Sequence, residues 1–174
     1  MSELPLPPGS TLGILGGGQL GRMLALAAAR LGFDVAVLER DADSPAGRVA
    51  AHTIVGPYAD PDALETLAAV AAVVTYEFEN VPADSVLILQ RLGVEVAPGP
   101  EALAVAQDRV AEKQFLNASG APTVAYSSAD TAEEAVAATA QMGAPVLMKT
   151  RREGYDGKGQ RWVEHPADAA KAFA

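Results

Sequence analysis

Residues 11–39 read TLGILGGGQLGRMLALAAARLGFDVAVLE, and this stretch decides the fold. Its first five residues are an apolar run bounded by glycine, as in a strand buried on both faces of a parallel sheet. The turn GGGQLGRM follows at 16–23. Leu20, Met23, Leu24, Ala27 and Leu31 then recur at helical spacing until Gly32, which stands where a C-terminal cap would end a helix. A second apolar run at 35–38 stops at Glu39. Strand, glycine turn, helix and strand within about thirty residues make a βαβ unit, which implies a parallel sheet with a right-handed crossover.

Working outward, 62–69 and 83–92 carry helical patterns, and 72–75 and 94–97 are short apolar strands. Together they predict an α/β domain with a Rossmann-like parallel sheet, ending near Pro98 and Pro100. A helical stretch over 101–119 is expected to break or change direction near Asp108, and it closes at Gly120 with Pro122 beyond. Thr131 and Glu134 form a capping-box pattern opening a helix over 131–142. A strand at 145–150, a polar glycine loop at 151–160 and a return strand from 161 then mark an α+β unit. The expected organisation is a flexible leader at 1–10, the α/β domain at 11–100, connecting helices at 101–121 and an α+β unit at 122–174. One helix, one hairpin and a second helix starting at Pro166 bury little core, so the chain is expected to be the front part of a longer protein.

The 174 residues are 49% hydrophobic and 20% charged, the balance of one or two globular domains rather than of a disordered or collagen-like chain. Absence of cysteine excludes disulfide frameworks, thiolate zinc sites and cysteine nucleophiles. His52 and His165 are too few and too distant to suggest a metal site, and no metal ligand is assigned. No apolar run approaches the roughly 20 residues of a membrane span, and MSELPLPPGS lacks the order of a secretory signal, so a soluble protein of a reducing compartment is expected. A net charge of −9 argues against nucleic acid and anionic membranes as partners. That charge is uneven: residues 1–100 carry −7 and residues 101–174 carry −2. Lys149, Arg151, Arg152, Lys158 and Arg161 fall within thirteen positions, a concentration that suggests an anion site or else a solvated turn.

Three constellations could carry chemistry. Gly16, Gly18 and Gly21 satisfy G-x-G-x-x-G between a strand and a helix. Such a turn permits close backbone approach, its N–H groups attract phosphate, and Glu39 stands where an acid accepts ribose hydroxyls in dinucleotide domains. A glycine turn serving only helix–strand packing is the alternative. In TYEFENV at 75–81, Glu77 and Glu79 would point the same way in an extended chain, at the sheet edge where α/β folds bind ligands. Acids that favour the dipole of a helix start are the alternative there. In VLMKTRREGYDGKGQ at 146–160, Lys149 lies in an apolar strand and is expected to be buried against an anionic partner. Gly154, Gly157 and Gly159, with Lys158, form a loop able to close over phosphates, although no Walker pattern is present and a simple hairpin turn would use the same glycines.

In order, GGGQLGRM at 16–23, YEFENV at 76–81, DRVAEKQFL at 108–116, GAPTVAY at 120–126 and KTRREGYDGKGQ at 149–160 resemble the N5-carboxyaminoimidazole ribonucleotide synthase family of ATP-grasp enzymes. The resemblance runs from Gly13 to Trp162. It implies a Rossmann-like pre-ATP-grasp domain, followed near Pro122 by the smaller lobe of an ATP-grasp domain. It also implies ATP-dependent carboxylation of 5-aminoimidazole ribonucleotide by bicarbonate, through carboxyphosphate, in purine biosynthesis. The partners implied are ATP, Mg2+, bicarbonate and 5-aminoimidazole ribonucleotide, in a cytoplasmic homodimer.

By resemblance, Gly18, Gln19, Leu20 and Glu77 bind the ribonucleotide, with Glu79 a weaker candidate, and no nicotinamide is bound. Arg109 and Lys149 contact ATP phosphates, and the covering loop runs from Gly154 through Tyr155, Asp156, Gly157, Lys158 and Gly159 to Gln160. Tyr155 and Asp156 are the implied catalytic residues, bridging towards the second substrate. The family's adenine segment, magnesium ligands and substrate-phosphate residues have no counterpart in these 174 residues, which alone are expected not to turn over. Competing readings are another ATP-grasp ligase, such as formate-dependent glycinamide ribonucleotide transformylase, a nicotinamide-dependent oxidoreductase domain, and a non-enzymatic binding fragment.

Overall fold

Thr11–Leu15 (β1) lies at the centre of a five-stranded parallel sheet, paired with Asp34–Glu39 (β2) on one side and Val73–Tyr76 (β4) on the other. His52–Val55 (β3) and Glu95–Val96 (β5) form the edges, so the order is β3-β2-β1-β4-β5. The computed structural model describes residues 5–154 and 157–174, and the chain divides into two units, Met1–Ala104 and Val105–Ala174.

Successive side chains of a strand face opposite ways, and β1 shows the consequence. Ile14 packs with Ala25, Ala28, Val35, Val37 and Ala46, whereas Leu15 joins a larger cluster with Leu38, Leu64, Leu67, Val74, Val86 and Leu89. The first cluster is covered by Gln19–Arg30 (α1), the second by Pro61–Val70 (α2) and Ala83–Arg91 (α3). Complete burial of each leucine contributes about 1.5–3 kcal/mol, so the larger cluster dominates the stability of this unit. On the α1 side, Leu12, Leu24, Leu31, Phe33 and Thr75 help line an open apolar groove of about 240 Å³.

Four strands are expected from the sequence of this unit; the fifth, β3, is found only in the structure. His52, Thr53 and Val55 of that edge strand are exposed and Ile54 is half-buried, so its sequence carries no apolar alternation. Only pairing with β2 makes it a strand. Its neighbour α2 is better signposted: Asp60 accepts hydrogen bonds from the N–H groups of Asp62 at 3.0 Å and Ala63 at 3.5 Å, and Pro61 opens the helix. Asp60→Ala should cost about 1 kcal/mol, read as a lower urea midpoint with unchanged slope, while Asp60→Asn stays near the wild type.

Pro100–Ala106 (α4) and Arg109–Ala118 (α5) replace the single helical stretch, with the break at Asp108 that the sequence leads one to expect. Asp108 is the N-cap of α5. In the second unit Ala132–Met142 (α6) opens on Thr131, whose hydroxyl accepts from Glu134 N at 3.1 Å, while Glu134 reaches back to the N–H of Asp130 at 2.7 Å. Val146–Lys149 (β6) and Gln160–Val163 (β7) form an antiparallel ribbon, and a 3-10 turn at Pro166–Asp168 leads into Ala169–Phe173 (α7). Ala135, Val163 and Ala169 are the buried centre, flanked by Val146 and Met148.

Candidate functional site

The sheet order reverses between β1 and β4, and ligands of open α/β sheets bind beyond the carboxyl ends of the strands at such a point. The glycine turn follows β1 there, and Glu77 follows β4. Helix α1 begins at Gly18 with no side-chain cap of its own and no acid in its first turn. Its cap comes from Glu77, which accepts from Gly18 N at 2.7 Å through one oxygen and from Gly21 N through the other. A methyl group added at Gly18 or Gly21 would collide with that carboxylate, at 2.7 Å in the case of Gly21. Glycine at 18 leaves room for that carboxylate, and at 21 a methyl group would also meet the Gly16 carbonyl oxygen at 2.7 Å, which a side chain cannot push aside.

Glu39 takes another of the turn's donors. Its Oε2 accepts from Gly17 N at 2.6 Å and from the hydroxyl of the buried Tyr58 at 2.7 Å, and Oε1 accepts from Arg40 N at 2.6 Å. Burial pushes the Glu39 carboxyl upward, but the bonds from Tyr58, Gly17, Arg40 and Asp41 outweigh it and hold the group below its ordinary range. The Tyr58 phenol is raised, by burial first and by Glu39 second. Gly16 N donates to Leu38 O at 3.0 Å. Among the described residues, no hydrogen bond is made by the N–H groups of Gln19 and Leu20, the first two residues of α1. The glycine N–H groups expected to attract phosphate thus have internal acceptors, and Glu39, expected to await a ribose, is bonded to the turn. Helix geometry leaves the next two amides available.

Glu77 and Glu79 do not form the extended pair expected from their spacing, because β4 ends at Tyr76 and the chain bends at Glu77 and turns at Glu79. Phe78 packs against the larger core cluster, which draws the backbone around. Glu77 points to the glycine turn, and Glu79 accepts from the neighbouring Asn80 amide at 3.2 Å.

In the second unit Asp108 organises the basic loop. Its carboxylate accepts from Val110 N at 3.0 Å and Ala111 N at 3.2 Å, caps α5, and receives Arg151 Nε at 2.7 and 2.8 Å. Arg152 approaches it at 3.5 Å. The Arg151 bond, against burial and with help from the two amides, holds the Asp108 carboxyl down at about 2. Arg109, the first residue of α5, donates to Thr150 O at 3.2 Å and Gly154 O at 2.7 Å. Thr150 N in turn donates to Gly159 O at 2.7 Å, closing the base of the loop. Gly159 has a φ of 68°, and a Cβ there would lie 2.5 Å from Thr150 Oγ1, so a side chain is excluded on two grounds.

Lys149 departs from expectation: it is exposed, not buried in an apolar strand. In the ribbon Val146, Met148 and Val163 turn towards the helices, whereas Leu147, Lys149 and Trp162 face outward. Arg151 and Arg152 are paired with Asp108 and Arg161 donates to Lys171 O at 3.2 Å, so the basic concentration is partly an internal ion-pair network. Gly154, Gly157, Lys158, Gly159 and Gln160 lie on the loop or at its exit, as expected; Tyr155 and Asp156 lie outside the described residues. Sequence reasoning missed Tyr58 and gave Asp108 no role beyond a helix break. An acid directly preceding a helical pattern was a legible capping signal for Asp108, whereas nothing local marks Tyr58.

A parallel sheet with a carboxylate-capped glycine turn, followed by a glycine hairpin beside basic side chains, agrees with the family comparisons. The model of the ribonucleotide synthetase preATP-grasp domain matches residues 10–107, and the chain belongs to that family; the ATP-grasp domain model matches residues 114–174. Among curated relatives, N5-carboxyaminoimidazole ribonucleotide synthase of Brucella melitensis is 51% identical over 160 residues, covering 92% of this chain and 44% of the relative. The Pseudomonas aeruginosa enzyme of the same name is 43% identical, covering 94% of this chain and 45% of its own length. The chain thus spans somewhat under half the length of these relatives. Similar solved structures include N5-carboxyaminoimidazole synthetase from Staphylococcus aureus complexed with ADP, at TM-score 0.90, 38% identity and coverage of 97% of this chain and 45% of that one. Another is the Aspergillus clavatus synthase with ADP and 5-aminoimidazole ribonucleotide, at TM-score 0.83, 29% identity and coverage of 96% and 44%.

Proposed function

We propose that this chain carries the ribonucleotide-binding unit and the phosphate-gripping hairpin of an ATP-dependent ligase that carboxylates 5-aminoimidazole ribonucleotide in purine biosynthesis. ATP phosphorylates bicarbonate to carboxyphosphate and leaves as ADP. The exocyclic amine of the ribonucleotide then attacks the carboxyl carbon, phosphate departs, and the amine loses a proton to give N5-carboxyaminoimidazole ribonucleotide. The observation that carries the assignment is at the sheet's switch point: Glu77 caps α1 while the Gln19 and Leu20 amides have no hydrogen-bond partner among the described residues. Those two residues, with Gly18 and Glu77, are also the ones family resemblance assigns to the ribonucleotide. The names of the relatives and the ligands of the Aspergillus structure support the same substrate.

In the second unit, Arg109 and Lys149 are proposed to meet the ATP phosphates. Arg109 holds the loop through Gly154 O and keeps further guanidinium N–H groups for a phosphate, and the exposed Lys149 ammonium can reach a ligand directly. Residues 154–160 would close over the nucleotide, with Tyr155 and Asp156 as the proposed catalytic pair. Such cations act by positioning and by electrostatic stabilisation of the transferring phosphoryl group, and closure shields carboxyphosphate from water. Magnesium would accompany the triphosphate. Among the described residues no three acidic or histidine side chains gather to hold a metal ion, so no step is assigned to it on this chain. No described helix is long and apolar enough to cross a membrane, and a homodimer in the cytoplasm completes the proposal.

Release of ADP on mixing the protein with ATP, magnesium and bicarbonate should depend on 5-aminoimidazole ribonucleotide, and the carboxylated product should appear in equal amount. The same assay with a separately made C-terminal half of a relative covers the case in which these residues need one. Binding of NADH without ribonucleotide-dependent ADP release in either format would overturn the proposal.

A further inference from the structure

We propose that Glu39, clamped by Tyr58, is a positioning residue for ribonucleotide binding: it holds the glycine turn in the shape that presents the Gln19 and Leu20 amides. The inference rests on the function proposed above and adds two residues to which neither the glycine motif nor the family resemblance assigns this task.

Glu39 ends β2, on the opposite side of β1 from Glu77, so the turn at 16–18 lies between two carboxylates. Each takes separate donors, Gly17 N for Glu39 and the N–H groups of Gly18 and Gly21 for Glu77. Gly17 is also held at its other end, its carbonyl accepting from Ala46 N at 2.9 Å. A Cβ at Gly17 would meet Ser44 Oγ at 2.7 Å and Glu39 Cβ and Cγ at 2.8 Å, so the carboxylate stem packs directly on the turn.

Tyr58 makes the arrangement specific. Its hydroxyl donates to the same Glu39 oxygen that receives Gly17 N, and its ring meets Phe78 edge-on with centroids 5.6 Å apart. Phe78 adjoins Glu77, so the phenol links the two carboxylate-bearing strand ends through one rigid side chain. The Arg40 guanidinium lies 5.2 Å from the ring centroid on the same residue. With two negative groups bonded to the turn, a phosphate is repelled from it. Ligand contact is directed to the first amides of α1.

The test combines steady-state kinetics, run with the C-terminal half of a relative added, with amide exchange of the purified protein. Glu39→Ala should raise KM for 5-aminoimidazole ribonucleotide about tenfold, with kcat changed less than about twofold and KM for ATP unaltered. Glu39→Gln, whose amide oxygen can accept from both Gly17 and Tyr58 while its NH2 replaces only the oxygen that accepts from Arg40 N, should recover most of that loss. Tyr58→Phe, which keeps the ring contact, should raise the same KM about threefold. Exchange of the Gly17 amide should quicken in Glu39→Ala and, to a smaller extent, in Tyr58→Phe. An unchanged ribonucleotide KM with a lowered melting point would make the pair merely structural and overturn the inference, as would unchanged Gly17 exchange. Should Glu39→Ala not fold, Tyr58→Phe decides the same points. Failure of the underlying function would show differently, as wild-type protein without ribonucleotide-dependent ADP release even with the C-terminal half added. The hold of Glu39 on the turn then stands or falls on Gly17 exchange.

Discussion

Glu77→Ala is expected to destabilise the first unit by about 3 kcal/mol, lowering its melting point on the order of 15 °C, and to abolish the ribonucleotide binding proposed above. Two N–H groups at the start of α1, those of Gly18 and Gly21, lose a charged acceptor that no residue of the helix's own first turn replaces. A hydrogen bond to a charged group contributes about 1.5–3 kcal/mol, and the half-buried position of Glu77 places both bonds near the lower end. Removal of the carboxylate also takes negative charge from the positive end of the helix dipole. Glu77→Gln should be nearly as harmful, because each carboxylate oxygen has its own N–H donor and the amide offers only one acceptor. Thermal melts would read the loss. A Glu77→Gln protein within about 0.5 kcal/mol of wild type would show that the cap is dispensable.

The second large effect is an acid transition in the second unit. Asp108 has a folded pKa of about 2, against about 3.9 in an unfolded chain. Because the folded value is depressed, its contribution is fully present above about pH 4 and is lost as pH falls through about 2. Helical circular dichroism between pH 6 and 2 should decline in that window. Asp108→Asn keeps a capping oxygen but loses the charge that holds Arg151, so its decline should be shallower and its stability at pH 7 lower. Asp108→Ala loses the cap as well and should cost about 2 kcal/mol at pH 7. The Asp108 side chain is 5% exposed but that of Arg151 is 54% exposed, so the ion pair is partly screened and the cap supplies a large share. On the proposed role of Arg109, ATP affinity should fall with it, since Arg109 begins the helix that Asp108 caps. Superimposable acid curves for wild type and Asp108→Asn would refute this account.

Much of the local structure was legible. TLGIL, the glycine turn and the apolar run before Glu39 announced β1, α1 and β2, and Thr131 with Glu134 announced the start of α6. The signals failed where burial is one-sided or absent. β3 has one half-buried residue and three exposed ones, so it carries no apolar period. Lys149 lies between Met148 and Thr150 in a strand that looks wholly apolar, yet a two-stranded ribbon covered by helices on one face leaves alternate residues outside. Glu77 and Glu79 lost their expected pairing because Phe78 enters the core and the chain turns around it.

By itself the sequence determined the parallel α/β architecture, the break before α5, the glycine hairpin and, through motifs in order, membership of the family. Those features are marked by residue type and short spacing along the chain. Only the tertiary structure decided which donors of the glycine turn remain for a ligand. Glu39 is 22 residues from Gly17, and Glu77 is 59 from Gly18 and 56 from Gly21. They reach the same turn because the sheet places β2 and β4 on either side of β1. Strand order is set by how the helices cover both faces of the sheet, and no local pattern of the chain encodes which distant carboxylate will meet which N–H group.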